Sequence, residues 1–305
     1  MEVANWMQDC FVPDIGQVFL DHVGLFVADL DAIPAWFTRL GFTLTPRAMH
    51  MHRDVAGREA PSGTSNHCAM FREGYLEILG ATADTPLAAQ LKARLARYPG
   101  VHLIAFAAAD ADARHAALDQ TDLAPLPLVH LQRPIDLDGG PTATGRFSVI
   151  RMPPDSMPEG RIQVVTHHTP ELVWQPRFLT HANGVEALTE VLVCVDDPAE
   201  AAGRFGRLLT RPARTADGAA EVDLNRGGIR FLTPDRLALE LPDLTPPSLP
   251  FIAAIGFRCR DLAATGRFFA DRNIPVKAWS RTLLRLPASE ALGLTMLFRS
   301  TDRDD

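Results

Sequence analysis

Cysteine is scarce and scattered in this 305-residue chain. The four thiols, Cys10, Cys68, Cys194 and Cys259, form no CxxC pair. They read as buried free thiols in a reducing cytoplasm, not as a disulfide framework or a zinc knuckle. Tyrosine is scarcer, with two residues, and aromatics make up 7% of the chain, a thin supply for a site that binds by ring stacking. There is no Lys/Arg run, and the net charge is −7, which argues against a nucleic-acid surface. No apolar stretch approaches a membrane span, and the opening MEVANWMQDC has neither a basic region nor a continuous apolar one. The expectation is a cytoplasmic protein with no membrane partner. GxSxG, GxGxxG and Walker-type motifs are also missing, so hydrolase, dinucleotide and nucleotide-triphosphate readings have no support.

What the sequence does have is a repeat. Residues 19–31 read Phe-Leu-Asp-His-Val-Gly-Leu-Phe-Val-Ala-Asp-Leu-Asp, and residues 251–262 read Phe-Ile-Ala-Ala-Ile-Gly-Phe-Arg-Cys-Arg-Asp-Leu. Each is an apolar strand running through Asp-Leu into an amphipathic helix. His22 of the first copy is matched by Ala254 in the last, so the scaffold repeats and the candidate chemistry does not.

Two further copies open at Val101 and Leu188, which gives four modules. In the first, Val23, Leu25 and Val27 point one way, and His22, Gly24 and Phe26 the other. Leu30, Ile33, Trp36, Phe37 and Leu40 give the helix one apolar stripe, ended by Gly41. Extended segments at Phe42–Thr45, Asn66–Phe71 and Tyr75–Leu79 complete a β-α-β-β-β order. The second module is expected to close with strands near Leu126–Gln132, Gly145–Met152 and Arg161–Thr166. The third is expected to close with Gly228–Leu232 and Leu237–Leu241. The chain thus divides into an N-terminal extension (1–18), a first paired-module domain (19–185) and a second (186–305). Four helices are expected outside and curled mixed sheets inside. This is an α+β fold of four βαβββ modules paired into two half-open barrels, each leaving a cup lined by alternate residues.

Three stretches resemble the vicinal oxygen chelate superfamily, and within it the glyoxalase-like domain proteins. They are Asp21-His22-Val23 with Asp29-Leu30 and Leu40-Gly41-Phe42; Gly63-Thr64-Ser65-Asn66 with Gly74-Tyr75-Leu76-Glu77-Ile78-Leu79-Gly80; and His167-His168-Thr169-Pro170-Glu171-Leu172-Val173-Trp174 with His181-Ala182-Asn183-Gly184. The resemblance implies metal ligands on the first and fourth strands of paired modules. His22 matches the first-strand ligand and Glu77 the fourth-strand one.

The alternation of the strands agrees with both assignments. Glu77 shares a face with Tyr75 and Leu79, whereas Leu76 and Ile78 face the helices. An imidazole and a carboxylate in one cup suit Fe(II), Mn(II), Ni(II) or Zn(II). The plain alternative is a neutral core histidine and a glutamate reaching the rim. In the second module Leu103, not His102, falls at the place of His22, and Gln163 at that of Glu77. His167, two pleats beyond Gln163, is the candidate third ligand, with His102 and Gln163 as the other choices. A nearby histidine such as His67 is the candidate base. His50, His52, Arg53, Asp54 and Arg58 form either a lid offering charge to an anionic substrate or a solvated polar loop. Leu172, Val173 and Trp174 read as core packing.

In the third module Thr189 falls at the place of His22, and Glu240 at that of Glu77; the fourth has Ala254 and no acid. The later modules are left to complete the fold or to support a homodimer. The leading reading is a metal-dependent lyase or isomerase acting on a small oxygenated molecule. Its nearest rival is an Fe(II) ring-cleaving dioxygenase of extradiol type. A metal-free binding or sequestering protein is the reading from another class.

Overall fold

The computed structural model describes residues 12–53, 59–138, 140 and 142–300. The first module runs β1 (Val18–Val27), α1 (Ile33–Arg39), β2 (Ala48–Arg53), β3 (Glu59–Met70) and β4 (Tyr75–Ala81). After a helix α2 (Pro86–Arg97), the second runs β5 (Gly100–Ala108), α3 (Ala111–Leu118), β6 (Val129–Ile135), β7 (Ala143–Arg151) and β8 (Arg161–His167). A short α4 (Pro170–Val173) leads to β9 (Val185–Cys194), α5 (Pro198–Leu209), β10 (Ala213–Ala216), β11 (Ala219–Asp223) and β12 (Gly228–Leu232). Then come α6 (Pro234–Glu240), β13 (Phe251–Cys259), α7 (Leu262–Asp271), β14 (Lys277–Ala278), β15 (Leu283–Leu286) and β16 (Thr295–Arg299).

The strands form two eight-stranded sheets, ordered β2-β3-β4-β1-β5-β8-β7-β6 and β10-β11-β12-β9-β13-β16-β15-β14. In each, the first strands of two modules pair antiparallel, β1 with β5 and β9 with β13. This is the expected pairing of β-α-β-β-β units.

Local chemistry places the helices. Asp110, Asp197 and Asp261 lie in extended conformation before α3, α5 and α7, and each carboxylate accepts from backbone N–H groups of the first turn. Gly41 and Asn273 sit at positive φ after α1 and α7, as their sequence positions predict.

Three expectations change. The second strand of module one is Ala48–Arg53, not Phe42–Thr45. Residues 234–240 are helix, not strand: Thr233 caps the Arg236 N–H, Pro234 opens the first turn and Asp235 follows. The module helices also do not all stand outside the two half-open barrels: Ile33, Phe37, Phe205 and Phe269 lie in a seam that the barrels share. Val23, Leu25 and Phe106 of the first sheet share one core with Val191, Val193 and Phe257 of the second. Rings meet across it, Phe71 with Phe257 (5.3 Å) and Phe106 with Phe205 of α5 (6.1 Å). The helix-bearing faces therefore share the seam, and the two cups lie on the opposite faces of the sheets. Each aromatic ring buried there contributes about 1.5–3 kcal/mol.

Candidate functional site

The first cup is a cavity of ≈ 670 Å³, in the range of small-molecule sites. The pleat assigns its lining. Tyr75, Glu77 and Leu79 project into it from β4, His22 from β1, Asn66 and Cys68 from β3, Leu103 from β5, and Gln163 and Val165 from β8. His22 and Glu77 are thus brought together as their parity predicts. Gly24 keeps the floor low, because a Cβ there would meet the Leu103 Cβ at 2.8 Å. α2 lies on the same face, burying Leu91 against Phe26, Leu79 and Leu103.

His22 is held from three sides. A register shift between Leu20 and His22 places Asp21 in an irregularity of the ladder, and its buried carboxylate turns back onto its neighbour. His22 Nδ1 donates to Asp21 Oδ2 at 2.6 Å, and the ring stacks on Tyr75 with centroids 4.4 Å apart. Nε2 is left facing Glu77 Oε2 at 3.8 Å. The Asn66 amide donates to Glu77 Oε1 at 2.6 Å, and His50 Nε2 lies 3.5 Å from the same oxygen. Burial alone would raise the Glu77 carboxyl; His50, His22 and Asn66 outweigh it and hold the pKa at about 2. Burial acts on Asp21 in the same sense, and the His167 and His22 imidazoles hold it far below the usual carboxylate range. Both acids are therefore ionised at neutral pH.

His167 does not join His22 and Glu77. Its Nε2 donates to Asp21 Oδ1 at 3.0 Å, and its ring packs edge-on against Trp174 (4.9 Å) and Phe147 (5.3 Å). The strand ends at this residue, and the Asp21 carboxylate captures the imidazole before it reaches the cup. Among the described residues no three His, Cys, Asp or Glu side chains are gathered into a metal-holding cluster.

His67 also turns away. It pairs with Ile78, whose side chain lies in the core shared by the sheets, and its Nδ1 donates to the Thr45 carbonyl at 2.9 Å. His102 points out of the cup, donating Nε2–H to the Tyr98 carbonyl and stacking on the Tyr98 ring at 4.1 Å. Gln163 does line the cup, at the place predicted for it. The Cys68 thiol, buried and beside Glu77, is pushed up to about 12 and is no nucleophile. Trp174 is fully buried and donates its indole N–H to the Phe71 carbonyl, so that segment is packing. Of the expected lid, His50 lines the cup; Asp54 and Arg58 lie outside the described residues, as do the side chains of His52 and Arg53.

Asp21 and the arginines of the far wall, Arg133, Arg151 and Arg161, join the site beyond the residues expected from the sequence. The arginine on β8 had a signal, since Arg161 shares its face with Gln163. Asp21 had none, because strict alternation turns it away from His22.

The second cup is filled. Leu192, Ala254 and Leu297 meet Leu237 of α6 and Leu241 just beyond its end, together with Phe251 and Tyr98. Gly228 pairs with Glu190 as Tyr75 pairs with His22, each after a glycine at positive φ. The place of His22 is thus taken by Glu190, not Thr189, and that of Glu77 by Arg230, not Glu240. Glu190 accepts from Arg299 at 2.7 Å. Arg230 clasps Glu240 with two bonds, at 2.9 and 3.1 Å.

The family model of the glyoxalase-like domain matches residues 20–209. No curated protein matches the chain. Among solved structures, a hypothetical protein from Staphylococcus aureus superposes with TM-score 0.64 at 10% identity, covering 93% of this chain and 99% of its own. A triple mutant of 4-hydroxymandelate synthase from Streptomyces coelicolor gives 0.53 at 14%, covering 95% and 94%. The Mn(II)-bound glyoxalase from Novosphingobium aromaticivorans gives 0.51 at 11%, covering 94% and 82%. At these identities the likeness is one of fold.

Proposed function

The chain belongs to the glyoxalase-like domain family of the vicinal oxygen chelate superfamily, and from that premise we propose that it is a metal-dependent enzyme acting on a small oxygenated molecule in the first cup. One observation carries the reading: His22 presents Nε2 to Glu77 inside the cavity while Asp21 holds its other nitrogen. A carboxylate behind a histidine fixes the tautomer and orientation that a metal ligand needs.

The donor chemistry fits a divalent ion. His22 and Glu77 would hold it, and substrate oxygens and water would fill the positions that His167 does not reach. When bound, the ion would supply Lewis acidity to adjacent substrate oxygens. The chain's own residues do the rest. Asp21 and Tyr75 fix the His22 ring in position and plane. Asn66 keeps the Glu77 carboxylate aimed inward and ionised. His50, anchored by its Nδ1 to the Thr64 hydroxyl at 3.0 Å, is the group placed to move a proton at a substrate oxygen, in the role first expected of His67. Apolar Leu79, Leu103 and Val165 limit water at the floor.

The test is elemental analysis of native protein beside His22→Ala and Glu77→Ala. About one divalent ion per chain in the native protein, lost in both variants, supports the reading; equal content in all three overturns it. Oxygen uptake with catechols then separates ring cleavage from lyase or isomerase chemistry.

A further inference from the structure

In a chain with seven more acidic than basic side chains, the first cup inverts the sign. Among the described residues of its lining Glu77 is the one carboxylate, against Arg133, Arg151 and Arg161. The pairing registers place them. Glu77 lies beside Gly24, Gly24 beside Leu103, and Leu103 beside Arg161, so one row across the sheet carries a carboxylate at one end and a guanidinium at the other. Three strand steps of about 4.8 Å separate the two ends along the curled sheet, the span of a small organic molecule. Arg151 pairs with Gln163, the next cup-facing residue after Arg161 on β8.

Among the described residues no ion pair holds these cations, and Glu77 is the carboxylate whose charge reaches Arg161, from across the cup. Gln163, with its amide turned to suit the network, accepts from Arg161 Nε at 2.7 Å and Nη2 at 3.1 Å, which is a neutral partner for a charged group. The Nε atoms of Arg151 and Arg133 are buried without a partner. Arg133 lies over the Phe147 ring at 5.3 Å. Burial and the charge of Arg151 pull Arg161 down to about 10, so it remains protonated at neutral pH. Several other half-buried arginines are paired with carboxylates: Arg204 with Glu159 and Glu200, Arg230 with Glu240, and Arg258 with Glu73. Leaving a partly buried charge unpaired is costly, and three such guanidinium groups share one wall of this cavity.

We infer that Arg161 and Arg151 dock the anionic oxygens of the substrate, which is a small organic acid carrying a carboxylate or phosphate group at the end remote from His22 and Glu77. A planar fork of donors suits either group. The inference rests on the function proposed above, because it orients that substrate with its anion on β7 and β8 and its reacting oxygens on β1 and β4.

Calorimetry with the purified protein tests it, using lactate and inorganic phosphate as probes, lactamide as the uncharged twin, and sodium chloride at equal ionic strength. Lactate or phosphate should bind and lactamide should not, and the better of the two anions names the group. Arg161→Met should weaken the anion at least tenfold and raise the Tm of the ligand-free protein, because an unpaired charge is removed; a purely structural arginine would lower it. Arg151→Met is the second variant, should the first fail to fold. Equal binding of lactamide, no binding of either anion, or undiminished binding in both arginine variants overturns the inference. His22→Ala separates the two readings: anion binding that survives there in metal-free protein leaves the docking wall standing whatever the metal assay returns.

Discussion

Asp21 and His22 are chain neighbours on one strand, yet the carboxylate of the first accepts a 2.6 Å hydrogen bond from the imidazole of the second. Regular pleating would send the two side chains to opposite faces. The register shift at Asp21 removes that constraint and lets one buried carboxylate hold both His22 and His167. Asp21→Asn keeps the shape and removes the charge. Metal affinity, measured by calorimetric titration, should fall about 10–100-fold. Unchanged affinity would mean that Asp21 serves the fold alone.

The turn into β4 is the next vulnerable point. Gly74 has φ +74°, and a Cβ on it would meet the Asp21 carbonyl oxygen at 2.8 Å. Gly74→Ala adds left-handed strain of about 1–2 kcal/mol to that clash. Denaturant unfolding should show a total loss of at least about 2 kcal/mol. A loss under half of that would show that the turn relaxes freely.

Acid should weaken the fold through two buried neutral histidines. His181 takes the Thr43 N–H on Nδ1 at 3.0 Å and donates Nε2–H to the Met70 carbonyl at 2.8 Å, so a second proton has no place. Burial lowers both His181 and His102 from 6.5 to about 4. Below 6.5 the unfolded chain binds protons that the folded chain refuses. Stability is therefore full above about pH 6.5 and declines as pH falls towards 4, by up to roughly 3 kcal/mol per histidine. Urea midpoints across pH 7.5 to 4.5 measure it, and His181→Gln should flatten the slope. Midpoints that rise on acidification would contradict the assignment.

The second cup supplies the control. Glu240 is clasped by Arg230 and Arg236. Glu240→Gln should leave metal content unchanged and lower stability by about 1 kcal/mol, as for a partly exposed ion pair. Loss of metal in this variant would place the site in the wrong half.

The order of the modules and the inward parity of His22, Glu77 and Gln163 were determined by the sequence alone. Each depends on a local rule: a two-residue pleat, a 3.6-residue helical stripe, an Asp cap. Thr233-Pro234-Asp235 was also a legible helix start, and the apolar Leu-Glu-Leu that follows it hid the signal. Other features were decided only in three dimensions. A ladder irregularity gave Asp21 to His22 and drew His167 away from the cup. Pairing of β1 with β5 and of β5 with β8 set Arg161 opposite Glu77, across strands far apart in sequence. Tertiary packing also brought Leu237, Leu241 and Tyr98 over the second sheet and closed its cup. Alternation tells which face a side chain takes. Which groups meet on that face depends on strand register and on what covers the sheet, and both are settled by contacts between residues distant along the chain.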